Sequence, residues 1–128
     1  MTDTLDRAVA ALGPLEGRIM RLVWTSCVAD EFVVRDIAAL VPELAYTTVM
    51  TTLRRLADKG LLHAEARIGR RAHTYRAAGT AADYLVAASR REANEVVARY
   101  GDAALAAFAA QLGELTEEQR RRLRELGS

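Results

Sequence analysis

Between Ala45 and Leu62 the chain reads AYTTVMTTLRRLADKGLL, and two sets of side chains in it invite different chemistry. Thr48, Thr51 and Arg55 recur at helical spacing, with Thr47, Met50 and Arg54 flanking them. Val49, Leu53 and Leu56 recur at i, i+4 and i+7 on the opposite face as an apolar stripe. The polar face therefore carries short side chains near the helix start and guanidinium groups further along, with no carboxylate before Asp58. Short side chains let the first half of a helix approach base edges in a DNA major groove. Arginines beyond them reach phosphate oxygens.

Such a helix must be held by neighbours, and the surrounding sequence supplies them. Gly13-Pro14 is a break, after which Leu15, Ile19, Leu22 and Val23 follow helical spacing, with Met20 and Trp24 widening the stripe. A helix is expected from Leu15 to Thr25. Phe32-Val33 reads as a minimal strand, and Val34 to Val41 as a second short helix ended by Pro42. Pro42-Glu43-Leu44 makes the turn into the third helix, Ala45 to Lys59, and Gly60 stands where a helix C-terminal glycine belongs. Leu61 to Arg67 and His73 to Ala77 read as two strands around Ile68-Gly69-Arg70-Arg71, where Gly69 permits a tight turn. The order helix, strand, helix, turn, helix, strand, wing, strand is that of a winged helix-turn-helix. Ahead of it, Leu5, Val9 and Leu12 are spaced for a short amphipathic turn in an N-terminal extension, 1–12, that could equally stay mobile.

The chain has 128 residues, room for one domain or a small domain with an arm. Its net charge is only +1, but the span from Ala45 to Arg76 holds seven Arg or Lys against Asp58 and Glu65, a local charge of +5. That concentration fits an anionic partner; on charge alone a solvated basic surface fits as well. One cysteine, Cys27, leaves no intramolecular disulfide framework, and His63 and His73 lack metal-ligand spacing. No metal and no cofactor are expected. The N-terminus has no basic start followed by an apolar run, and no segment is long enough to span a bilayer, so a cytoplasmic protein without a membrane partner is expected.

Beyond Gly79 the composition changes. Thr80-Ala-Ala-Asp83 resembles a capping box and opens a long helix to about Tyr100, striped by Leu85, Val86, Ala93, Val96, Val97 and Tyr100. Gly101-Asp102 breaks it and caps a helix from about Ala103 to Leu112, anchored by Leu105, Phe108 and Leu112. Thr116-Glu-Glu-Gln119 is a capping box for a last helix with Leu123 and Leu126. Extended helices cannot bury their own stripe. A homodimer through residues 80–126 is the economical reading, since DNA readers of this type commonly place two recognition helices on half-sites one turn apart. Packing back onto the N-terminal domain is the alternative. The expected architecture is mainly α with a small β wing: a winged helix-turn-helix DNA-binding domain at 1–78 and a helical dimerisation region at 79–128.

Three blocks make the chain resemble the penicillinase-repressor (BlaI/MecI/CopY) family of winged helix-turn-helix regulators. They are Leu12-Gly-Pro-Leu-Glu-Gly-Arg-Ile-Met20 with Leu22-Val-Trp24, the run Ala45 to Leu56 with Lys59-Gly-Leu-Leu62, and Gly69-Arg-Arg-Ala-His-Thr-Tyr75. They lie in order over about residues 12–78, and Tyr-Thr-Thr-Val-Met-Thr is the most specific of them. The resemblance implies a homodimeric transcriptional repressor of a palindromic operator. By position, Thr47, Thr48, Met50 and Thr51 would face bases, and the apolar tip of Met50 suits a thymine methyl. Tyr46, Arg54, Arg55 and Lys59 would hold the phosphate backbone, and Arg70 and Arg71 in the wing would meet phosphate or the minor groove. The antibiotic-responsive members imply an upstream sensor protease acting at an Asn-Phe bond. The nearest match here is Ala107-Phe108, without the Asn. The copper-responsive members carry C-terminal Cys-x-Cys pairs, and no Cys follows Cys27 here.

The remaining marked residues have plainer readings. Met20 and Trp24 belong to a core, Tyr75 packs under the wing, and Arg120, Arg121, Arg122 and Arg124 make a solvated helix face. Cys27 is a small loop or core residue and His73 a strand residue beside the wing. No paired carboxylates, nucleophile motif or phosphate loop suggest an enzyme. Two other functions fit the same scaffold: a winged helix that docks a protein through its threonine face, and a regulator that senses a ligand or oxidant.

Overall fold

A computed structural model describes residues 3–66 and 73–127. The elements run α1 (Thr4–Ala10), α2 (Pro14–Trp24), α3 (Val34–Leu40), α4 (Tyr46–Asp58), β1 (Leu62–Ala66), β2 (His73–Ala77), α5 (Ala81–Tyr100), α6 (Asp102–Gly113) and α7 (Glu117–Leu126). They form two compact units, Met1–Ala87 and Ala88–Ser128, with α5 beginning in the first and ending in the second. The fold is mainly helical with a small antiparallel sheet, a winged helix.

In the first unit α2 is the central brace. Gly13 is its N-cap and Pro14 its first helical residue, where the missing N–H costs nothing. Ile19 and Met20 are fully buried and join Phe32, Val34, Ile37, Val41, Val49, Leu53, Leu56, Leu61, Leu62 and Tyr75 in one core. Burying each large aliphatic side chain contributes roughly 1.5–3 kcal/mol, so this cluster fixes how α2, α3 and α4 pack. One expected member is elsewhere: Leu15 is exposed while Glu16 is buried. The inner face of α2 runs through 16, 19, 20 and 23, so Leu15 lies one residue off the stripe.

Residues 3–12, whose order was open from the sequence, contain a formed helix. Asp3 caps α1 by accepting from the Asp6 N–H at 2.7 Å. Ala8 is fully buried, and α1 packs closely on α2 at Gly17, where any Cβ would stand 2.8 Å from the Val9 carbonyl oxygen. Asp6 and Arg21 join the two helices by an ion pair at 2.8 Å.

The helix-turn-helix is α3 and α4. The Asp36 carboxylate accepts from the Val33 N–H at 2.9 Å at the start of α3, and α3 ends ahead of Pro42. At the end of α4 the Gly60 N–H donates to the Ala57 carbonyl at 3.0 Å and the Leu61 N–H to the Leu56 carbonyl at 2.9 Å. Gly60 needs φ +83° to close this turn, a region that disfavours any side chain. The chain then enters β1, paired antiparallel to β2 with Leu62 opposite Ala77 and Ala66 opposite His73. Phe32 adds a single bridge to Tyr75, the minimal third strand, with their rings 6.1 Å apart. The turn expected at Ile68, Gly69, Arg70 and Arg71 lies outside the described residues.

Helix α5 opens on the expected reciprocal cap: Thr80 N–H to Asp83 Oδ2 at 2.9 Å and Asp83 N–H to Thr80 Oγ1 at 3.1 Å. Nearby, the Trp24 indole N–H donates to the Gly79 carbonyl at 3.1 Å, and the Trp24 and Tyr84 ring centroids are 6.0 Å apart. In the second unit Gly101, at φ +59°, is the N-cap of α6, and Asp102 is the first helical residue rather than the cap. Thr116 and Gln119 form the capping box of α7. Arg120, Arg121 and Arg122 pair along the helix with Glu117, Glu118 and Glu125. Among the described residues no helix is long and apolar enough to cross a membrane.

Candidate nucleic-acid interface

Helix α4 sorts its residues sharply. Val49, Leu53 and Leu56 are fully buried, while Tyr46, Thr47, Thr51, Arg54, Arg55 and Lys59 are exposed. Two residues read on the outer face sit deeper: Thr48 is half-buried, and Met50 is half-buried with its side chain packed against the core. Thr52, which the sequence reading passed over, is buried and lies three residues beyond Val49 and four before Leu56. Its hydroxyl donates to the Thr48 carbonyl at 2.7 Å, so a polar side chain joins the apolar stripe without an unpaired group.

The N-cap of α4, Ala45, offers no side-chain acceptor. Its first-turn N–H groups therefore have no capping side chain and carry the positive end of the helix dipole. Arg54 and Arg55 stand between two and three turns beyond Ala45, and among the described residues neither has a carboxylate within ion-pair distance. The surface of α4 thus offers donors and positive charge along its length. Arg70 and Arg71 fall outside the described residues.

Lys59 behaves differently from the two arginines. Its ammonium lies 2.7 Å from Glu16 Oε1, and the Glu16 side chain is only 11% exposed. The other carboxylate oxygen, Oε2, is buried with no hydrogen-bond partner. Arg18, two residues along α2, pairs with Glu43 in the turn that precedes α4, and a backbone hydrogen bond to the Glu43 carboxyl, with Arg18 second, holds it below its ordinary pKa. Neither contact had a linear signature, because the partners are 43 and 25 residues apart.

Beneath α4, Tyr75 on β2 is buried, as expected. Burial pushes its phenol above the ordinary tyrosine value, with Arg54 opposing and Asp58 and Tyr46 adding to the rise. His63 and His73 are exposed on the sheet, and Cys27 is exposed with its sulfur 3.3 Å from Thr25 Oγ1.

In the second unit the apolar side chains meet water. Val96, Tyr100, Leu105, Phe108, Leu112, Leu123 and Leu126 are exposed, as is Val86 at the start of α5, while Leu85 and Val97 are half-buried.

The family model described as penicillinase repressor matches residues 12–127, the winged unit and nearly all of the C-terminal helices. No curated protein sequence matches the chain.

Proposed function

The chain belongs to the penicillinase repressor family of DNA-binding transcriptional repressors, and on that premise we propose that it works as a homodimer on a palindromic operator. The observation that carries this reading is the division of α4: fully buried Val49, Leu53 and Leu56 beneath exposed Tyr46, Thr47, Thr51, Arg54 and Arg55. Thr47, Thr48, Met50 and Thr51 face bases, with Thr48 and Met50 offering only their outer parts. Tyr46, Arg54 and Arg55 hold phosphates, and Arg70 and Arg71 extend the contact from the wing; Lys59, which the family resemblance would add to this set, is paired with Glu16. The winged domain, 1–78, binds DNA, and the region 79–128 joins two copies.

Eight large apolar side chains are exposed on α5, α6 and α7, seven of them in the second unit, and that much exposed apolar surface supports a protein partner. A second copy is the occupant that matches a two-fold operator. Release by a sensor protease gains no support: Ala107 stands where the Asn is implied, inside α6.

Titrating the protein with its own upstream DNA and with random DNA tests the readout. Arg55→Ala weakens both alike and flattens the slope of log K against log salt by about 0.9 for each copy bound. Thr51→Ala shifts base preference by about 1–3 kcal/mol if one base contact is lost. Equal binding of operator and random DNA by every variant refutes the assignment. For the dimer, Phe108→Asp with Leu112→Asp yields monomers in sedimentation; an unchanged dimer removes these residues from the interface.

A further inference from the structure

Helix α2 grips the recognition helix at both ends. Arg18 pairs with Glu43 just before α4, and Glu16 pairs with Lys59 at its C-cap. The two contacts differ in burial. Arg18 and Glu43 are both about half exposed, at 47% and 52%, so their exchange with water costs little. Glu16 is nearly enclosed, and with Oε2 unpartnered, the Lys59 ammonium is the only donor among the described residues that satisfies its carboxylate. Glu16 is the third residue of α2, where the helix dipole favours a carboxylate but the hydrogen bond from Lys59 supplies the counter-charge.

Lys59 also sits four residues beyond Arg55, about 6 Å further along the same helix face. From the sequence it belongs with the phosphate contacts. A DNA phosphate that captured its ammonium would leave Glu16 as a buried carboxylate without a donor, which is costlier than the loss of an exposed partner. An exposed phosphate contact, screened by salt, is the weaker competitor.

We infer that Glu16 is a positioning residue for DNA binding: it holds Lys59 against α2, fixes the C-terminal end of α4, and keeps Lys59 out of the phosphate-contacting set. The inference rests on the reading of α4 as the DNA-binding helix. Its effect is to limit the backbone contacts of this end of α4 to the arginines.

Salt dependence of binding to upstream DNA separates this role from a merely structural one, because loss of a brace lowers affinity at every salt concentration whereas a phosphate contact changes the slope. Four proteins are compared as full chains: wild type, Lys59→Gln, Glu16→Gln and the double variant. Glu16→Gln keeps side-chain length and removes the buried charge rather than stranding it, while Lys59→Gln removes the cation and leaves a polar donor on a side chain one atom shorter. Lys59→Gln is expected to leave the slope of log K against log salt unchanged. Glu16→Gln frees the ammonium and steepens the slope by about 0.9 for each copy bound, and the double variant returns to the wild-type slope. A slope flattened by about 0.9 per copy in Lys59→Gln overturns the inference, as does an unchanged slope in Glu16→Gln. Arg55→Ala is run beside them: if it too fails to change the slope, the assignment of α4 fails, whatever Glu16 does.

Discussion

Replacing Gly17 by alanine opposes two well-measured effects and makes the docking of α1 testable. In a helix interior, alanine in place of glycine ordinarily stabilises by about 1 kcal/mol. Gly17 lies inside α2, but its added methyl would stand 2.8 Å from the Val9 carbonyl oxygen and 3.0 Å from Val9 Cγ1. The oxygen belongs to the backbone of α1 and cannot swing aside, so α1 itself must shift. In shifting it gives up the full burial of Ala8 and part of that of Leu5 and Val9, while the exposed Asp6–Arg21 pair adds little. Overpacking of this kind costs about 1–3 kcal/mol, which outweighs the propensity gain and leaves a net loss of up to about 2 kcal/mol. Urea unfolding gives the sign, and hydrogen exchange of the α1 amides gives the cause. Gly113→Ala is the control for the added methyl, since open space surrounds that position at the last residue of α6 and no loss is expected there. A Gly17→Ala protein about 1 kcal/mol more stable, with α1 protection intact, would refute the close contact of the two helices.

Two further outcomes follow from the core beneath α4. Leu53→Ala, at a fully buried site, should destabilise the winged unit by about 2–5 kcal/mol, read as a lower urea midpoint with the slope unchanged. Because burial raises the Tyr75 pKa above the ordinary tyrosine value, its contribution to stability is complete below that ordinary value and is lost as pH rises through the folded one. Alkaline unfolding monitored by circular dichroism should therefore lose one component in Tyr75→Phe; an unaltered profile would show that the phenol is not shielded.

Much of this architecture was legible because its signals are local. The Thr80–Asp83 and Thr116–Gln119 boxes, Gly60 after α4, and the spacing of Val49, Leu53 and Leu56 each report on a single turn or a single face. What escaped was polar chemistry on inward faces. Glu16 and Thr52 occupy core-facing positions that a hydrophobic periodicity skips: the Thr52 hydroxyl is satisfied inside its own helix by the Thr48 carbonyl, and one Glu16 oxygen by Lys59, 43 residues away. Reading Leu15 inward was the same error seen from its neighbour. Helix α1 was ambiguous because its one fully buried side chain is an alanine, too small to stand out from the alanines around it. Met50 kept its place in the motif, yet its packing against the core cannot be told from spacing, since it borders both faces of α4.

The tryptophan at the end of α2 gives the protein an optical property of its own. Trp24 is the single tryptophan in the chain, half-buried, with its indole N–H donating to the Gly79 carbonyl immediately before α5 and its ring beside Tyr84. Indole emission is governed by such hydrogen bonding and by access of water. The fluorescence of the unlabelled chain is thus a native gauge of whether the end of α2 and the beginning of α5 remain joined.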